Sequence, residues 1–196
     1  MFLSRQLSFL AIWTLALLLA PAAAKRPSKE QLIAEVKNVR AALKDPKLST
    51  QYRASGMFLD TLIPQLENNW NPTDAFLASA VGKTVLLPED TAIGSAAPGA
   101  LYDMMKPGLK RQEVRGYASM IRSNLLAGVY DENGISNAKV LKDGNGRQVP
   151  KAVTVNGVKG RKGKPLIGKG KARIKNSNLY KGKFFIIHGV DAVQKP

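Results

Sequence analysis

The sequence predicts an α+β fold, and three observations carry that prediction. Apolar residues recur at helical spacing between Leu32 and Leu66. From Lys83, and mainly after Asn124, they gather into short runs bounded by turn residues, as strands do. Two turn signals, Asp143-Gly144-Asn145-Gly146 and Asn156-Gly157, fall in this second half, where Asn and Gly tolerate positive φ. Helices first and strands later separate α+β from the regular alternation of α/β. No repeat recurs at a fixed period.

The elements follow in order. Ser28-Lys29-Glu30-Gln31 reads as a capping box, with Leu32, Ile33, Val36, Val39 and Leu43 at helical spacing behind it. Asp45-Pro46 ends that helix. A second helix is predicted over about Thr50–Leu62, kinked or ended by Pro64, and a third from an N-cap at Thr73. Lys83–Leu87 reads as a buried strand closed by Pro88. Pro98, Gly99, Pro107 and Gly108 limit the stretch from Ala96 to Leu109 to short helical turns, and Glu113–Ile121 is a further helix. Strands are expected at Asn124–Tyr130, Ala138–Leu141, Val153–Val155, Lys171–Lys175 and Phe184–Ile187.

The amino terminus sets the expected compartment. Arg5 precedes an uncharged apolar stretch from Leu7 to Ala20, followed by Pro21 and Ala22-Ala23-Ala24. That is the pattern of a secretory signal cleaved after Ala24, and the run is too short to span a bilayer. The end, Val193-Gln194-Lys195-Pro196, encodes no glycolipid anchor, and no second apolar run of spanning length follows the first. The expectation is a secreted, extracellular protein with no transmembrane span and no GPI anchor.

Composition narrows the chemistry. There is no cysteine, so disulfides, thiolate nucleophiles and cysteine metal sites are excluded. His188 is the one histidine, which excludes paired-histidine zinc sites. The charge is one-ended. Residues 25–143 carry 16 Lys and Arg against 13 Asp and Glu, whereas residues 144–196 carry 13 against 1. Such an excess points to a surface that faces a polyanion.

Two further segments stand out: Thr84-Val85-Leu86-Leu87-Pro88-Glu89-Asp90-Thr91-Ala92-Ile93, and the final stretch from Phe184-Phe185-Ile186-Ile187-His188-Gly189-Val190-Asp191 to Pro196. They resemble the two signature segments of the fasciclin (FAS1) domain family, a T-V-F-A-P-like strand end before a short helix and an H-x-I-D-x-V-L-x-P-like last strand. Val153-Thr154-Val155-Asn156-Gly157 resembles that family's V-x-V-N-G turn. The resemblance implies a FAS1-like domain over residues 56–196, after the signal (1–24) and an N-terminal helical segment (25–55). It implies a wedge of two packed β-sheets with several helices on one side, an adhesion or matrix role, and no cofactor or catalytic residues. Ser123-Asn124 stands where the family carries a Tyr-His pair, and Ala92-Ile93-Gly94 replaces its usual Ala-Phe.

Candidate sites are few. His188 ends an apolar strand and reads as a structural histidine, and Asp191 as a brace for local backbone. Glu89-Asp90, at a helix start, read as capping acids rather than an acid/base pair. Asp143-Gly144-Asn145-Gly146 lacks the later ligands of a calcium loop and reads as a turn. The glycine-rich stretch from Gly157 to Gly170 lacks the phosphate-loop pattern. What remains is the basic run Lys159, Arg161, Lys162, Lys164, Lys169, Lys171, Arg173 and Lys175. It is either a solvated face or a contact for extracellular polyanions such as acidic polysaccharides or other matrix components. Nucleic acid is not expected, for want of interleaved stacking aromatics. The leading expectation is a non-catalytic module for cell adhesion or matrix and cell-wall attachment. The alternative is a soluble basic protein that binds acidic polysaccharide. Val85, Leu87, Ile186 and Val190 are expected in the core.

Overall fold

A computed structural model describes residues 27–68, 80–106, 124–144, 146–153, 165–168 and 171–193. Helix α1 (Lys29–Ala42) starts with the predicted capping box. The Gln31 N–H donates to Ser28 Oγ (3.3 Å), and the Ser28 N–H donates to Gln31 Oε1 (2.9 Å). Asp45 caps a single turn, α2 (Pro46–Ser49), whose first position suits a residue without an N–H. Helix α3 (Arg53–Asn68) contains Pro64, so of the two alternatives, a kink or an end, the proline does not end it. Pro64 lies on the exposed side, so the carbonyl that its ring leaves without a partner can turn to water. Leu66, one half-turn on, is buried and anchors the last residues. Arg40 of α1 and Asp60 of α3 join the two helices by a two-point ion pair, 2.7 Å at each contact.

Strand β1 (Lys83–Pro88) leads into α4 (Asp90–Ala96) and α5 (Pro98–Met104), the short helical pieces that the prolines allow. Next come β2 (Leu125–Ala127), α6 (Glu132–Asn137), β3 (Leu141–Lys142) and β4 (Gln148–Val149). The remaining strands are β5 (Lys151–Val153), β6 (Pro165–Ile167), β7 (Ala172–Lys181) and β8 (Phe185–Val190). The strands expected at Asn124–Tyr130 and Ala138–Leu141 are thus shorter, and the helix between them was not predicted. Asp131 starts that helix by accepting the Gly134 N–H (2.7 Å), and Gly128, at φ +113°, has already turned the chain out of β2. The predicted helices from Thr73 and over Glu113–Ile121, and the Asn156-Gly157 turn, lie outside the described residues.

Six strands form one mixed sheet in the order β2-β1-β8-β7-β6-β5. One neighbouring pair, β1 and β8, is parallel, with Lys83 opposite Phe185 and Pro88 opposite Val190; the other neighbours run antiparallel. The two-stranded sheet β3-β4 touches its edge through a bridge between Leu126 and Asp143. The class is α+β, as the sequence predicts.

Both faces of β1 and β8 are covered, which explains their continuous apolar runs. Val85, Leu87, Phe185 and Ile187 pack under the helices against Val36, Val39, Phe58 and Leu62. Helix α1 therefore contributes to the same core as the strands. On the other face Leu86 and Val190 join Leu126, Ile135, Leu141, Ile167 and Ile174 in a second core. Val85, Leu87, Ile186 and Val190 are all buried, as expected.

Candidate functional site

Strand β7 positions the described part of the basic run. Ala172 and Ile174 are buried in the second core. Alternation along the strand then turns Arg173 and Lys175 the other way, and both are exposed, as is Lys171 just before the strand. Lys171 stands at the β6–β7 turn with φ +51°, its N–H donating to the Gly168 carbonyl (3.0 Å). Across the ladder, Arg173 is paired with Leu166 of β6. The other five candidates, Lys159, Arg161, Lys162, Lys164 and Lys169, lie outside the described residues.

Two acids flank this ladder. The Arg173 N–H donates to Asp191 Oδ1 (2.8 Å), and the Asp191 N–H donates to the Arg173 carbonyl (3.2 Å). Asp191 thus braces the backbone of β7. Glu89 is pushed above the usual carboxylate range, mainly by desolvation and also by Asp191, against the pull of Lys175. The basic face is therefore tempered at its β8 end, which charge counting along the chain does not reveal. One lysine of the basic half is also spent elsewhere. Lys151 Nζ donates to the carbonyls of Ile135 (3.2 Å), Ser136 (2.8 Å) and Ala138, closing the C-terminal end of α6.

The candidate acid/base residues hold structure together. His188 is fully buried; its Nδ1 accepts the Asn178 N–H (3.0 Å), and its Nε2–H donates to the Tyr130 carbonyl (2.9 Å). Those partners admit one neutral tautomer, and desolvation holds the imidazole below its ordinary pKa despite the Tyr130 bond and the nearby Glu132 and Asp131. Thr84, also fully buried, accepts the Tyr130 N–H (2.7 Å) and donates to the Gly128 carbonyl (2.9 Å). The side chains of both family-like segments thus converge on the Gly128–Tyr130 backbone. Tyr130 went unmarked in the sequence because only its main chain takes part.

The capping expectation for Glu89-Asp90 holds in an altered form. Glu89 is the N-cap of α4 but makes no side-chain cap bond. Asp90 instead accepts the Ala54 N–H (3.2 and 3.1 Å to its two oxygens), so it caps the start of α3. Half-burial raises its pKa even so. Asp143 makes a turn: its Oδ1 accepts the Arg147 N–H (2.8 Å), and its carbonyl accepts the Gly146 N–H (3.0 Å). Where the FAS1 pattern has a Tyr-His pair, Asn124 is buried and its carbonyl accepts the Leu86 N–H (2.9 Å); Ser123 lies outside the described residues. Among the described residues no cluster of His, Asp and Glu suits a metal ion, and no helix is long and apolar enough to cross a membrane.

No protein-family model matches the sequence, and no curated protein matches it. Among solved structures the chain is similar to a FAS1 domain pair from the insect cell adhesion molecule Fasciclin I. The identity is 12%, the TM-score is 0.47, and the match covers 79% of this chain and 49% of that one. The chain spans about half the length of that structure.

Proposed function

We propose that this protein is a secreted, non-catalytic module of the fasciclin type that attaches to an extracellular matrix or cell wall by gripping acidic polysaccharide. The observation that carries the reading is the run of exposed positions Lys171, at the turn into β7, and Arg173 and Lys175 on β7, while the residues between them are buried. These charges end a longer basic, glycine-rich stretch of the sequence. The engagement of His188, Asp90 and Asp191 with backbone groups supports a binding rather than a catalytic role. The motif resemblance and the apolar leader ending at Ala24 support export. A second reading, a soluble polysaccharide binder without a tethering role, is favoured by the same exposed ladder.

Retention on pectate and heparin columns tests the common part. The protein beginning at Lys25 should elute at distinctly higher salt than a variant with Arg161, Lys162, Lys164 and Lys169 changed to Gln, and than one with Lys171, Arg173 and Lys175 changed to Gln. All three should melt together. Equal elution would reduce the ladder to a solvated face. Capture of cells or wall fragments on the immobilised protein separates attachment from soluble binding.

A further inference from the structure

The register of the parallel pair sets two acids beside the basic ladder. The Glu89 N–H donates to the Val190 carbonyl (2.9 Å), which carries the β1–β8 pairing one step past Pro88 and Val190 and places Glu89 opposite Asp191. On the other side of Asp191 stands Arg173, held by the Asp191 N–H on its carbonyl (3.2 Å) and by its own N–H on Asp191 Oδ1 (2.8 Å). Glu89, Asp191 and Arg173 thus form one row across three neighbouring strands, each about 4.8 Å from the next. Lys175 lies two residues further along β7 and, like Arg173, is exposed. The Asp191 carboxylate is spent on the brace, whereas Glu89 makes no cap bond with its own helix although it stands at the N-cap.

We infer that Glu89 makes the grip of the β7 ladder on polyanions acid-dependent: ionised, it opposes the polymer, and protonated, it leaves Arg173 and Lys175 to act with less opposition. The inference rests on the ladder being the polymer contact. The groups around Glu89 set the direction. Desolvation and Asp191 favour its protonated form and prevail over Lys175 of β7, so Glu89 takes up its proton above the ordinary value of 4.5. Asp90 of α4 is turned to the Ala54 N–H of α3, with Arg53 nearby. Tyr52, before α3, is pushed up to about 12 and stays uncharged. His188 is buried on the other face of β8, opposite Leu86 of the second core. Removing one charge about 5–8 Å from a polymer sulfate changes affinity by a factor of about two to four in a high dielectric. By reciprocity a bound polyanion raises the proton affinity of Glu89, so binding in acid takes up protons.

Calorimetric titration of the protein beginning at Lys25 with dextran sulfate, at fixed ionic strength, tests it, because the sulfates of that polymer stay ionised throughout. The unaltered protein should bind about two- to fourfold tighter at pH 4.5 than at pH 7.0. Glu89→Gln and Glu89→Ala should already bind more tightly than the unaltered protein at pH 7.0, by a similar factor, and lose most of the change with pH. Titrations at pH 4.5 in two buffers of different ionisation enthalpy should show proton uptake that both variants reduce. Variants that bind like the unaltered protein at pH 7.0, or keep its full pH dependence, would overturn the inference. The ladder reading would still stand if a variant with Lys171, Arg173 and Lys175 changed to Gln binds more weakly at both pH values. A ladder variant that binds as tightly as the unaltered protein at both would overturn the two together.

Discussion

His188 and Tyr130 are joined inside the second core: the imidazole Nε2 of β8 lies 2.9 Å from the Tyr130 carbonyl oxygen, in the segment that leaves β2. The other ring nitrogen faces the Asn178 N–H, a group that can only donate. One histidine therefore ties together β8, the middle of β7 and the chain after β2. It can do so only while neutral, because a proton on Nδ1 would point at another N–H.

That geometry gives a pH dependence with a definite sign. The folded imidazole titrates below the ordinary value of 6.5. The unfolded chain then binds the extra proton first, so stability falls as pH drops through about 6.5 toward the lower folded value. Equilibrium urea unfolding at pH 7.5 and 5.5 should show the loss. His188→Phe should lower stability at pH 7.5 by about 1–3 kcal/mol, since it leaves the part-buried Asn178 N–H and Tyr130 carbonyl without the ring. It should also flatten the dependence between the two pH values, whereas an equally steep slope in the variant would assign the effect to other groups.

Gly189 is required by a close approach. A Cβ there would overlap the Tyr52 hydroxyl and lie 2.8 Å from Tyr52 Cζ. Tyr52 cannot step aside: it is buried, its hydroxyl accepts from Asn176 Nδ2 (2.8 Å), and burial pushes its pKa up to about 12. Gly189→Ala should destabilise by about 3 kcal/mol or slightly more, at the upper end of overpacking penalties. The double variant with Tyr52→Phe should recover part of that loss, because it removes the overlapping atom. Thermal melts of the single and double variants measure both.

Lys151 tests whether all basic residues of the second half serve one purpose. Its ammonium closes the end of α6 through three carbonyls. Lys151→Met should cost about 1–3 kcal/mol, the range for stranding buried partners. Its salt elution from heparin should match the unaltered protein, since Lys151 spends its charge inside the fold. A drop in elution salt with no loss of stability would instead place Lys151 on the binding surface.

These cases show which parts of the molecule local sequence discloses. The Ser28–Gln31 box, the apolar runs of β1 and β8 and the Asp143–Arg147 turn depend on neighbours within a few residues, and each reads directly. Pro64 left kink and end open because propensity cannot tell which side of α3 meets solvent; the helix continues past it. Helix α6 hides between two apolar runs, although Asp131 and Gly134 at capping spacing mark its start. Asp90 capping α3, Lys151 closing α6 and Tyr130 receiving His188 escape a local reading, for each joins residues 13 or more apart in sequence through backbone atoms. On the candidate surface the run of lysines and arginines was legible, but the acids folded against it were not.

Asp191 makes that last point testable. It sits beside Arg173 on the strand ladder, and its Oδ1 holds the Arg173 N–H at 2.8 Å. Its negative charge opposes any polyanion that approaches Arg173 or Lys175, and Glu89 adds to that opposition. Asp191→Asn keeps the amide oxygen as an acceptor for the Arg173 N–H while it removes the charge. Charges within the roughly 8 Å screening length at physiological salt still act on one another, so the change should be felt on the ladder. The variant should elute from pectate and heparin at higher salt than the unaltered protein and melt at nearly the same temperature. Asp191→Ala should also gain retention but lose about 1 kcal/mol of stability with the brace. If Asp191→Asn elutes with the unaltered protein, the polymer does not touch the β7 face, and attachment must run through the glycine-rich stretch from Lys159 to Lys169 alone.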